Sequence, residues 1–431
     1  MPEVVVIGGG FAGCAAAAAV ARAGVSVTLL ERMEVLGGCG LWAGMIDYES
    51  FPVMEELKLM GADDIFQVID NCTLHTNVKF KMPKPSGATK TIYDTTRLDP
   101  ELQNHLKAAG VKVRLQARAK DVKMDGAKIR LVILDDGTEI PGDVFVDATG
   151  GAGPIDKCQK YGNGCPMCFW RCPAFGGRVS IAAKAGVKEL MGKKPDGSFG
   201  PGTAAYSLLK ESLTPELRKE LEETGRKYIP VPPELINEQR TKDITASVNA
   251  DEGFAQNVVL VDIGSHAKRI AAGWTPLSEL RKIPGLERVI YGDPYAGTIG
   301  NAVRYMAITP RGSALNVPGV DNLFVASEKV GTNGIVSSII TGIVAGHNAA
   351  RKAADIALLK IPETTLLGDF LAYVNKNWNT EEGLRARFCT HEETYLNRVR
   401  ELGLYTKDKD KIRSRIKESG LLSVFSQRVN L

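Results

Sequence analysis

Three glycines at fixed spacing near the start of the chain could bind a phosphate-containing ligand. Gly8, Gly10 and Gly13 follow the apolar run 4–7 and open the alanine-rich stretch 14–22. This order predicts a strand, a tight turn, and a helix whose N-terminus presents free N–H groups to a pyrophosphate. Gly8 permits the turn, Gly10 leaves room for the pyrophosphate, and Gly13 lets the helix pack closely on the strand.

An acidic residue completes this pattern. Glu31 ends a second predicted strand, 25–30. A carboxylate at this place accepts hydrogen bonds from both hydroxyls of a ribose and repels a 2′-phosphate. A purely structural glycine turn would leave Glu31 unexplained. The combined pattern therefore predicts a site for an adenine dinucleotide.

A second group of residues suited to chemistry is a cluster of cysteines. Four of the eight cysteines fall close together at Cys158, Cys165, Cys168 and Cys172, and a proline follows the last one. The last three resemble the end of a bacterial ferredoxin-type run, so the cluster predicts ligands for a [4Fe–4S] centre. A zinc site, a Cys165–Cys168 dithiol and a loop of unmetallated thiols are the alternatives.

Composition sets the broad class of the protein. The 431 residues are 44% hydrophobic and 24% charged, which is ordinary for a globular chain of two or three domains. The net charge of +4 does not identify a nucleic-acid binder. No apolar run is long enough to cross a bilayer, and residues 1–3 lack the positive charge of a signal peptide. We expect a cytoplasmic protein that has no membrane partner.

Two later segments narrow the dinucleotide to FAD by resemblance. The run 144–150 ends in Ala148-Thr149-Gly150 and resembles the strand-ATG segment of FAD-dependent oxidoreductases. The run 321–335 resembles the C-terminal flavin motif of the same proteins. The resemblance implies that Glu328 meets the ribityl and pyrophosphate region. It also implies that a helix beginning near Gly334 and Ile335 points its N-terminus at the N1–C2=O end of the flavin, where reduced flavin carries negative charge.

A narrower resemblance joins segments at the C-terminal side. Residues 280–287, 341–350 and 362–368 are similar to the glucose-inhibited division protein A family and to the folate-dependent tRNA uracil methyltransferase flavoproteins. Those methyltransferases have a Cys-Ser-Asn segment where this chain has Gly38-Cys39-Gly40, and an acidic-Met-Arg-Pro run where it has 31–34. These departures favour a more general FAD-dependent oxidoreductase.

Individual site residues follow from the motifs and the resemblance. The residues predicted to bind FAD are Gly8, Gly10, Phe11, Ala12, Gly13, Glu31, Arg32, Gly38, Cys39, Ala119, Ala148, Thr149, Gly150, Glu328, Gly334 and Ile335. Cys39 is also a candidate catalytic thiol beside the flavin, with a small residue filling a tight loop as the alternative. His266 is a candidate acid or base, although a surface or structural histidine is the alternative.

The elements that position these residues predict an α/β fold with a discontinuous, Rossmann-like FAD-binding domain. Its first part is 1–155 and its C-terminal part is 316–356. An inserted substrate domain with the cysteine loop occupies 156–315, and a helical tail occupies 357–431. Within these parts we expect an antiparallel meander over 111–134 and a largely helical stretch over 176–250.

The predicted function is that of an FAD-dependent oxidoreductase. The flavin acts on a small-molecule substrate or transfers electrons, coupled to the [4Fe–4S] centre if that cluster is present. One alternative is a flavin- and folate-dependent enzyme that modifies uridine in RNA. A second is an electron-transfer subunit of a larger complex, with a redox partner protein. We expect a homo-oligomer. The use of NAD(P)H as reductant is open, because the sequence shows no second glycine fingerprint for it.

Overall fold

The computed structural model describes most of the chain. The described residues are 2–47, 50–80, 89–151, 179–193, 197–198, 206–236, 256–270, 277–292, 307–386 and 388–429. The four clustered cysteines, Cys158, Cys165, Cys168 and Cys172, lie outside the described residues, so the metal prediction for them stays a prediction.

The elements of the described residues alternate between strands and helices in the N-terminal part. The strands are β1 (Glu3–Ile7), β2 (Ser26–Leu30), β3 (Met45–Asp47), β4 (Thr73–Lys79), β5 (Thr89–Tyr93), β6 (Lys112–Arg114), β7 (Ala119–Asp125), β8 (Lys128–Leu134), β9 (Glu139–Pro141), β10 (Val144–Asp147), β11 (Leu190–Met191), β12 (Tyr206–Leu209), β13 (Arg226–Pro230), β14 (Asn257–Asp262), β15 (His266–Ile270), β16 (Ala307–Ile308) and β17 (Leu323–Val325). The α-helices are α1 (Phe11–Arg22), α2 (Gly40–Ala43), α3 (Phe51–Leu59), α4 (Asp64–Asn71), α5 (Thr95–Ala108), α6 (Ile181–Lys184), α7 (Pro215–Thr224), α8 (Leu277–Leu280), α9 (Ile335–Ala353), α10 (Leu366–Asn377), α11 (Glu381–Arg385), α12 (Glu393–Glu401) and α13 (Lys409–Glu418).

A five-stranded parallel sheet forms the centre of the fold, in the order β17-β10-β1-β2-β6. Val4, Val5 and Val6 of β1 are fully buried, as expected for a strand covered on both faces. The expected meander over 111–134 is wrong in its first strand. Although β7, β8 and β9 form an antiparallel sheet, β6 pairs with β2 in the parallel sheet. The fold class is the predicted α/β arrangement.

Two helices pack side by side against this sheet with their backbones in close contact. A Cβ added to Gly342 of α9 would lie 2.2 Å from the Ala12 carbonyl oxygen, and one added to Gly346 would lie 2.3 Å from that of Ala16. The small residues of both helices make this approach possible. Because α1 follows β1 and α9 follows β17, both helix N-termini lie at the carboxyl edge of the parallel strands. That edge is where α/β sheets bind ligands.

Two smaller sheets lie outside the parallel sheet. The first has the order β3-β5-β4 and the second the order β12-β15-β14-β13. Ile92 of the first packs with Val259 and Val261 of the second in one apolar cluster. The expectation of a largely helical stretch over 176–250 is wrong where β12 and β13 stand. β13 pairs with the apolar strand β14, and this tertiary pairing overrides the local helical pattern.

The tail helices share the main hydrophobic core. Phe370, Ile412, Ile416 and Phe425 are fully buried in the same cluster as β1. The helical character predicted for 357–431 is confirmed, whereas the proposed domain bounds stay predictions. Among the described residues, we find no helix with both the length and the apolar character needed to cross a membrane.

Candidate dinucleotide-binding site

The three motif glycines have different surroundings. Gly8 has a φ of 106°, and a Cβ added to it would lie 2.4 Å from the Ala148 carbonyl oxygen. A Cβ on Gly13 would lie 1.7 Å from the Gly8 oxygen. A Cβ on Gly10 would meet nothing closer than the Gly38 Cα at 3.9 Å. Gly8 and Gly13 therefore shape the turn, whereas Gly10 faces open space that a pyrophosphate can enter.

Both helices that reach this edge begin without a capping side chain. At α1 the N-cap residue is Gly10, no side chain caps the helix, and the first turn holds no acidic residue. At α9 the same is true, and the N-cap Gly334 has a φ of 90°. The first N–H groups of a helix need acceptors, and two uncapped ends at one sheet edge suit a ligand with separate negative regions. An extended dinucleotide fits that requirement.

Glu31 has the free acceptor capacity that a ribose requires. Its carboxylate accepts the Gly9 N–H at 2.6 Å and the Met33 N–H at 2.9 Å. Two hydrogen bonds leave further lone pairs of the carboxylate for hydroxyl donors. The Glu31 carbonyl oxygen accepts the N–H of Ala117. Of two further predicted residues, Arg32 follows Glu31 and is half-buried, and Ala119 is buried at the start of β7.

The loop 36–40 runs across the glycine turn. The Gly37 N–H donates to the Gly9 carbonyl oxygen at 2.8 Å, and a Cβ on Gly38 would lie 2.9 Å from the Gly10 Cα. Cys39 is the N-cap residue of α2, and its side chain is exposed. The structure therefore brings Gly38, and Cys39 next to it, to the glycine turn. A catalytic role for Cys39 stays a prediction.

The two later flavin motifs meet beside the turn. The Asp147 carboxylate accepts the N–H of Thr149 at 3.1 Å and its hydroxyl at 2.7 Å, which orders the loop through Ala148 and Gly150. Glu328 accepts the Gly151 N–H at 3.1 Å. Segments that are far apart in sequence therefore form one surface with α1 and α9.

A buried ionic network behind this surface was not expected from the sequence. The Lys329 ammonium donates to Glu189 and to the Ser180 hydroxyl, both at 2.6 Å, and lies 3.4 Å from Asp147. Burial opposes the charge of Lys329, but the two carboxylates raise its pKa above the usual value. Lys329 follows Glu328 directly and carries no pattern that would distinguish it from a surface lysine.

A second buried lysine lies near Cys39. Lys268 of β15 is 1% exposed, and its ammonium donates to the Ala43 carbonyl oxygen at 2.7 Å. Burial and the nearby Lys90 lower the pKa of Lys268 to about 7, although Cys39 and Asp47 oppose that shift. A lysine in this state can gain or lose a proton near neutral pH. Because Ala267, Lys268 and Arg269 are all buried, the alternation of β15 carries no signal that would have marked Lys268.

A group of polar side chains around His391 lies near the N-terminus of α9. His391 Nε2 is 3.4 Å from Asp47 Oδ2 and 3.6 Å from Cys389 Sγ. Asp47 also pairs with Lys90. Burial opposes ionisation of Asp47, but His391 and Lys90 hold its pKa below the usual value. No sequence pattern marks this group, because its members come from β3, β5 and the tail.

His266 lies elsewhere on β15. Its Nδ1 is 3.0 Å from the Ser265 hydroxyl, and its ring packs against Gly292. None of these contacts joins His266 to the glycine turn, and its predicted role as an acid or base stays a prediction. Within the described ranges, no group of three or more His, Cys, Asp or Glu side chains could hold a metal ion.

Comparisons with known proteins agree with this geometry. The family model of FAD dependent oxidoreductases matches residues 3–153, and the model of glucose inhibited division protein A matches 276–357. The methylenetetrahydrofolate–tRNA-(uracil-5-)-methyltransferase of Staphylococcus carnosus is 28% identical over 52% of this chain and 48% of its own. The chain thus aligns with about half the length of that relative.

Two further relatives align more widely. The Prochlorococcus marinus methyltransferase of the same name is 24% identical over 87% of this chain and 85% of its own. The structure of GidA from Aquifex aeolicus has a TM-score of 0.58 at 16% identity, covering 97% of this chain and 76% of that one, which supports the fold alone. The matched ranges include the glycine turn and α9. The chain is therefore related to the FAD-dependent oxidoreductases and, among them, to glucose-inhibited division protein A and the tRNA uracil methyltransferase flavoproteins.

Proposed function

We propose that this protein is an FAD-dependent enzyme that modifies uridine in RNA with a one-carbon unit carried by a folate. The observation that carries the proposal is the alignment of 87% of the chain with a relative named as a methylenetetrahydrofolate–tRNA-(uracil-5-)-methyltransferase. The segments 31–34 and 38–40 differ from the corresponding motifs of the tRNA methyltransferases. These differences are compatible with modification of a different uridine or of a different RNA. An FAD-dependent oxidoreductase that acts on a small molecule is the rival proposal.

The residues of the site would hold FAD as follows. The N-terminus of α1 and the space at Gly10 receive the pyrophosphate, and Glu31 receives the adenosine ribose. The uncapped N-terminus of α9 would face the flavin ring and would favour negative charge there. Bound FAD supplies hydride or electron transfer, which no side chain of the protein can provide. The protein positions the substrate and excludes water.

Cys39 is the side chain that we propose for contact with the substrate, and the buried Lys268 is the base that we propose to act near it. The exposed thiol of Cys39 lies beside the phosphate-binding turn, and a thiol becomes nucleophilic when it loses its proton. Lys268 lies near Cys39, and burial together with the nearby Lys90 lowers the pKa of Lys268 to about 7. Lys268 can therefore accept a proton near Cys39 at neutral pH. His266 stays an alternative acid or base.

Methylation of RNA tests the proposed activity directly. FAD-loaded protein is incubated with tRNA transcripts, methylenetetrahydrofolate and NAD(P)H, and the nucleosides are analysed by mass spectrometry. We expect one added methyl group on uridine, with loss of the product in Cys39→Ser and in the FAD-free Gly10→Val variant. RNA binding should weaken steeply with salt, because phosphate contacts release counterions. Unmodified uridine in every RNA, together with binding that salt does not affect, would exclude the RNA proposal.

The cysteine spacing favours a second candidate function. Four thiolates at Cys158, Cys165, Cys168 and Cys172 would complete the ligands of a [4Fe–4S] cluster that relays single electrons between the flavin and a partner protein. Iron and acid-labile sulfide are measured in anaerobically purified protein, with Cys168→Ser as the matched variant. We expect both elements in the wild type and a loss of both in the variant. Protein that holds flavin but neither iron nor sulfide would exclude the cluster.

No structural observation bears on the predicted location, oligomeric state, redox partner or reductant. The cytoplasmic location, the homo-oligomer, the redox partner protein and the use of NAD(P)H are all proposals. Zinc or a Cys165–Cys168 dithiol would be distinguished from the [4Fe–4S] cluster by the same metal analysis.

A further inference from the structure

The tail brings a basic side chain to the N-terminus of α9. The Asn333 N–H donates to the Phe388 carbonyl oxygen at 2.7 Å, so the segment 388–391 lies along the turn that opens the helix. A Cβ on the N-cap Gly334 would lie 3.4 Å from His391 Cε1 and 3.8 Å from Cys389 Cβ. His391 is therefore in contact with the first residue of the helix end that carries no cap.

The neighbours of His391 favour its protonated form. Asp47 Oδ2 lies 3.4 Å from Nε2, and Cys389 Sγ lies 3.6 Å from the same nitrogen. One Nε2–H group therefore faces both acceptors. Lys90 is a neighbouring cation that opposes the charge, and Lys268 is a further cation close to Asp47. Burial also opposes protonation, but Asp47 and Cys389 raise the pKa of His391 to about 9.

The charge at this place has a use in flavin chemistry. Addition of two electrons and one proton to oxidised flavin leaves a negative charge over N1 and C2=O. A helix N-terminus supplies roughly half a positive charge. A protonated histidine beside that end would add positive charge, which Asp47 offsets in part, and it would keep its own proton during the reduction.

We propose that His391, held as an imidazolium by Asp47, is the cationic side chain that stabilises reduced FAD at the N-terminus of α9. This inference rests on the FAD binding that forms part of the proposed function, and it does not depend on RNA or folate as substrates. His391 would contact the flavin ring region, whereas Asp47 acts through His391 as a positioning residue.

The midpoint potential of bound FAD tests this inference. The holoprotein is titrated with dithionite, which supplies the electrons, in the presence of a reference dye at pH 7. We expect His391→Gln to lower the ratio of reduced to oxidised FAD at a fixed potential by about tenfold or more. A tenfold change corresponds to about 30 mV for a two-electron couple. His391→Lys should restore most of the loss because it restores the charge.

His105→Gln is the matched control for the loss of a histidine. His105 Nε2 also pairs with a carboxylate, Asp64, at 3.2 Å. Asp64 in turn pairs with Arg22 in the last turn of α1, at the end of that helix opposite the glycine turn. We expect the potential of FAD in this variant to match that of the wild type.

The pH dependence separates charge from structure. The difference in potential between wild type and His391→Gln should close as the pH rises past about 9, because the imidazolium then loses its proton. In Asp47→Asn, the pH at which the potential changes should move lower, since the carboxylate that holds the proton is gone. Equal potentials in wild type and His391→Gln, with FAD bound to both, would overturn the role of His391 and leave the proposed function intact. A wild type that binds no FAD would overturn this inference and the proposed function together.

Discussion

Gly10 and Gly13 belong to one motif, but their substitutions should fail for different reasons. The space beyond the Gly10 Cα is open, and Gly10 has a φ of −72° that any residue adopts. Gly13 instead packs against the Gly8 carbonyl oxygen, where a Cβ would lie 1.7 Å away. One position is reserved for the ligand and the other for contact between the helix and the strand.

We expect Gly10→Val to leave the stability of the protein without cofactor nearly unchanged and to weaken FAD binding at least about 100-fold. The branched side chain would fill the space that the pyrophosphate enters. Gly13→Ala should instead lower the stability by several kcal/mol, because its Cβ would overlap backbone atoms of Gly8. Thermal melting without FAD and titration with FAD separate the two effects. Unfolding of Gly10→Val in the absence of FAD would contradict this assignment of roles.

Histidine 347 lies in the middle of α9, where it is 1% exposed and contacts the Phe425 ring at 5.2 Å. Burial, with some contribution from Arg351, lowers the pKa of His347 to about 4. In the unfolded chain the same histidine should titrate near its usual value of 6.5. The unfolded state therefore binds one proton more than the folded state between pH 6.5 and pH 4.

The stability should consequently fall as the pH drops through that range, by up to about 3 kcal/mol from this residue. His347→Met should flatten the acid side of the stability profile, because its thioether has no proton to gain. Urea unfolding at pH 7, 6, 5 and 4 provides the comparison. An acid slope that is the same in the variant and in the wild type would show that His347 is not responsible for it.

At the scale of elements, the Lys329 network joins parts of the chain that no sequence motif connects. Lys329 belongs to a short 3-10 helix, Ser327–Val330, and its partners Asp147 and Glu189 come from the end of β10 and from the segment before β11. Loss of the ammonium would leave two carboxylates buried without their cation. Such a loss costs more than the pair contributes when it is intact.

We expect Lys329→Met to lower the free energy of unfolding by about 3–5 kcal/mol. Lys193→Met removes a lysine from an ion pair with Glu381 that is partly exposed, and it should cost less than about 1 kcal/mol. Urea midpoints measured with an unchanged slope give both values. A loss in Lys329→Met as small as that in Lys193→Met would mean that the buried carboxylates find other partners.

At the scale of the whole molecule, the tail packs against the N-terminal part of the chain. The Phe425 carbonyl oxygen accepts a hydrogen bond from Arg22 of α1, and the Val429 N–H donates to Ala23. Glu56 of α3 accepts the N–H groups of Leu366 and Leu367, which satisfies the N-terminus of α10. These contacts join the last residues of the chain to the first hundred.

Deletion of residues 408–431 should therefore abolish cooperative unfolding. Ile412, Ile416 and Phe425 are fully buried, and each such side chain contributes about 1.5–3 kcal/mol by burial. Their sum is comparable with the total stability of a typical domain. Ile416→Ala should cost about 2–5 kcal/mol, whereas the exposed neighbour Lys417→Ala should cost little. A truncated chain that still melts in one sharp transition would show that the tail is dispensable.

The sequence by itself determined the dinucleotide site. Glycine spacing, a buried strand and a terminal acid are local features, so Gly8, Gly10, Gly13 and Glu31 could be assigned from one segment of the chain. The helix that begins near Gly334 was predicted from the resemblance of 321–335 to a flavin motif, which is likewise confined to one segment of the chain.

Only the tertiary structure decided which charged residues are buried together. Lys268, Lys329 and His391 have the same residue types as many surface side chains, and what distinguishes them is burial beside particular partners. Those partners come from distant segments, Asp47 from β3 and Glu189 from the chain before β11. Strand pairing also depends on distant segments. β6 pairs with β2 and β13 pairs with β14, and neither pairing follows from the sequence of the strand itself. The energies of burial and pairing depend on the whole fold, and for that reason no local pattern predicts them.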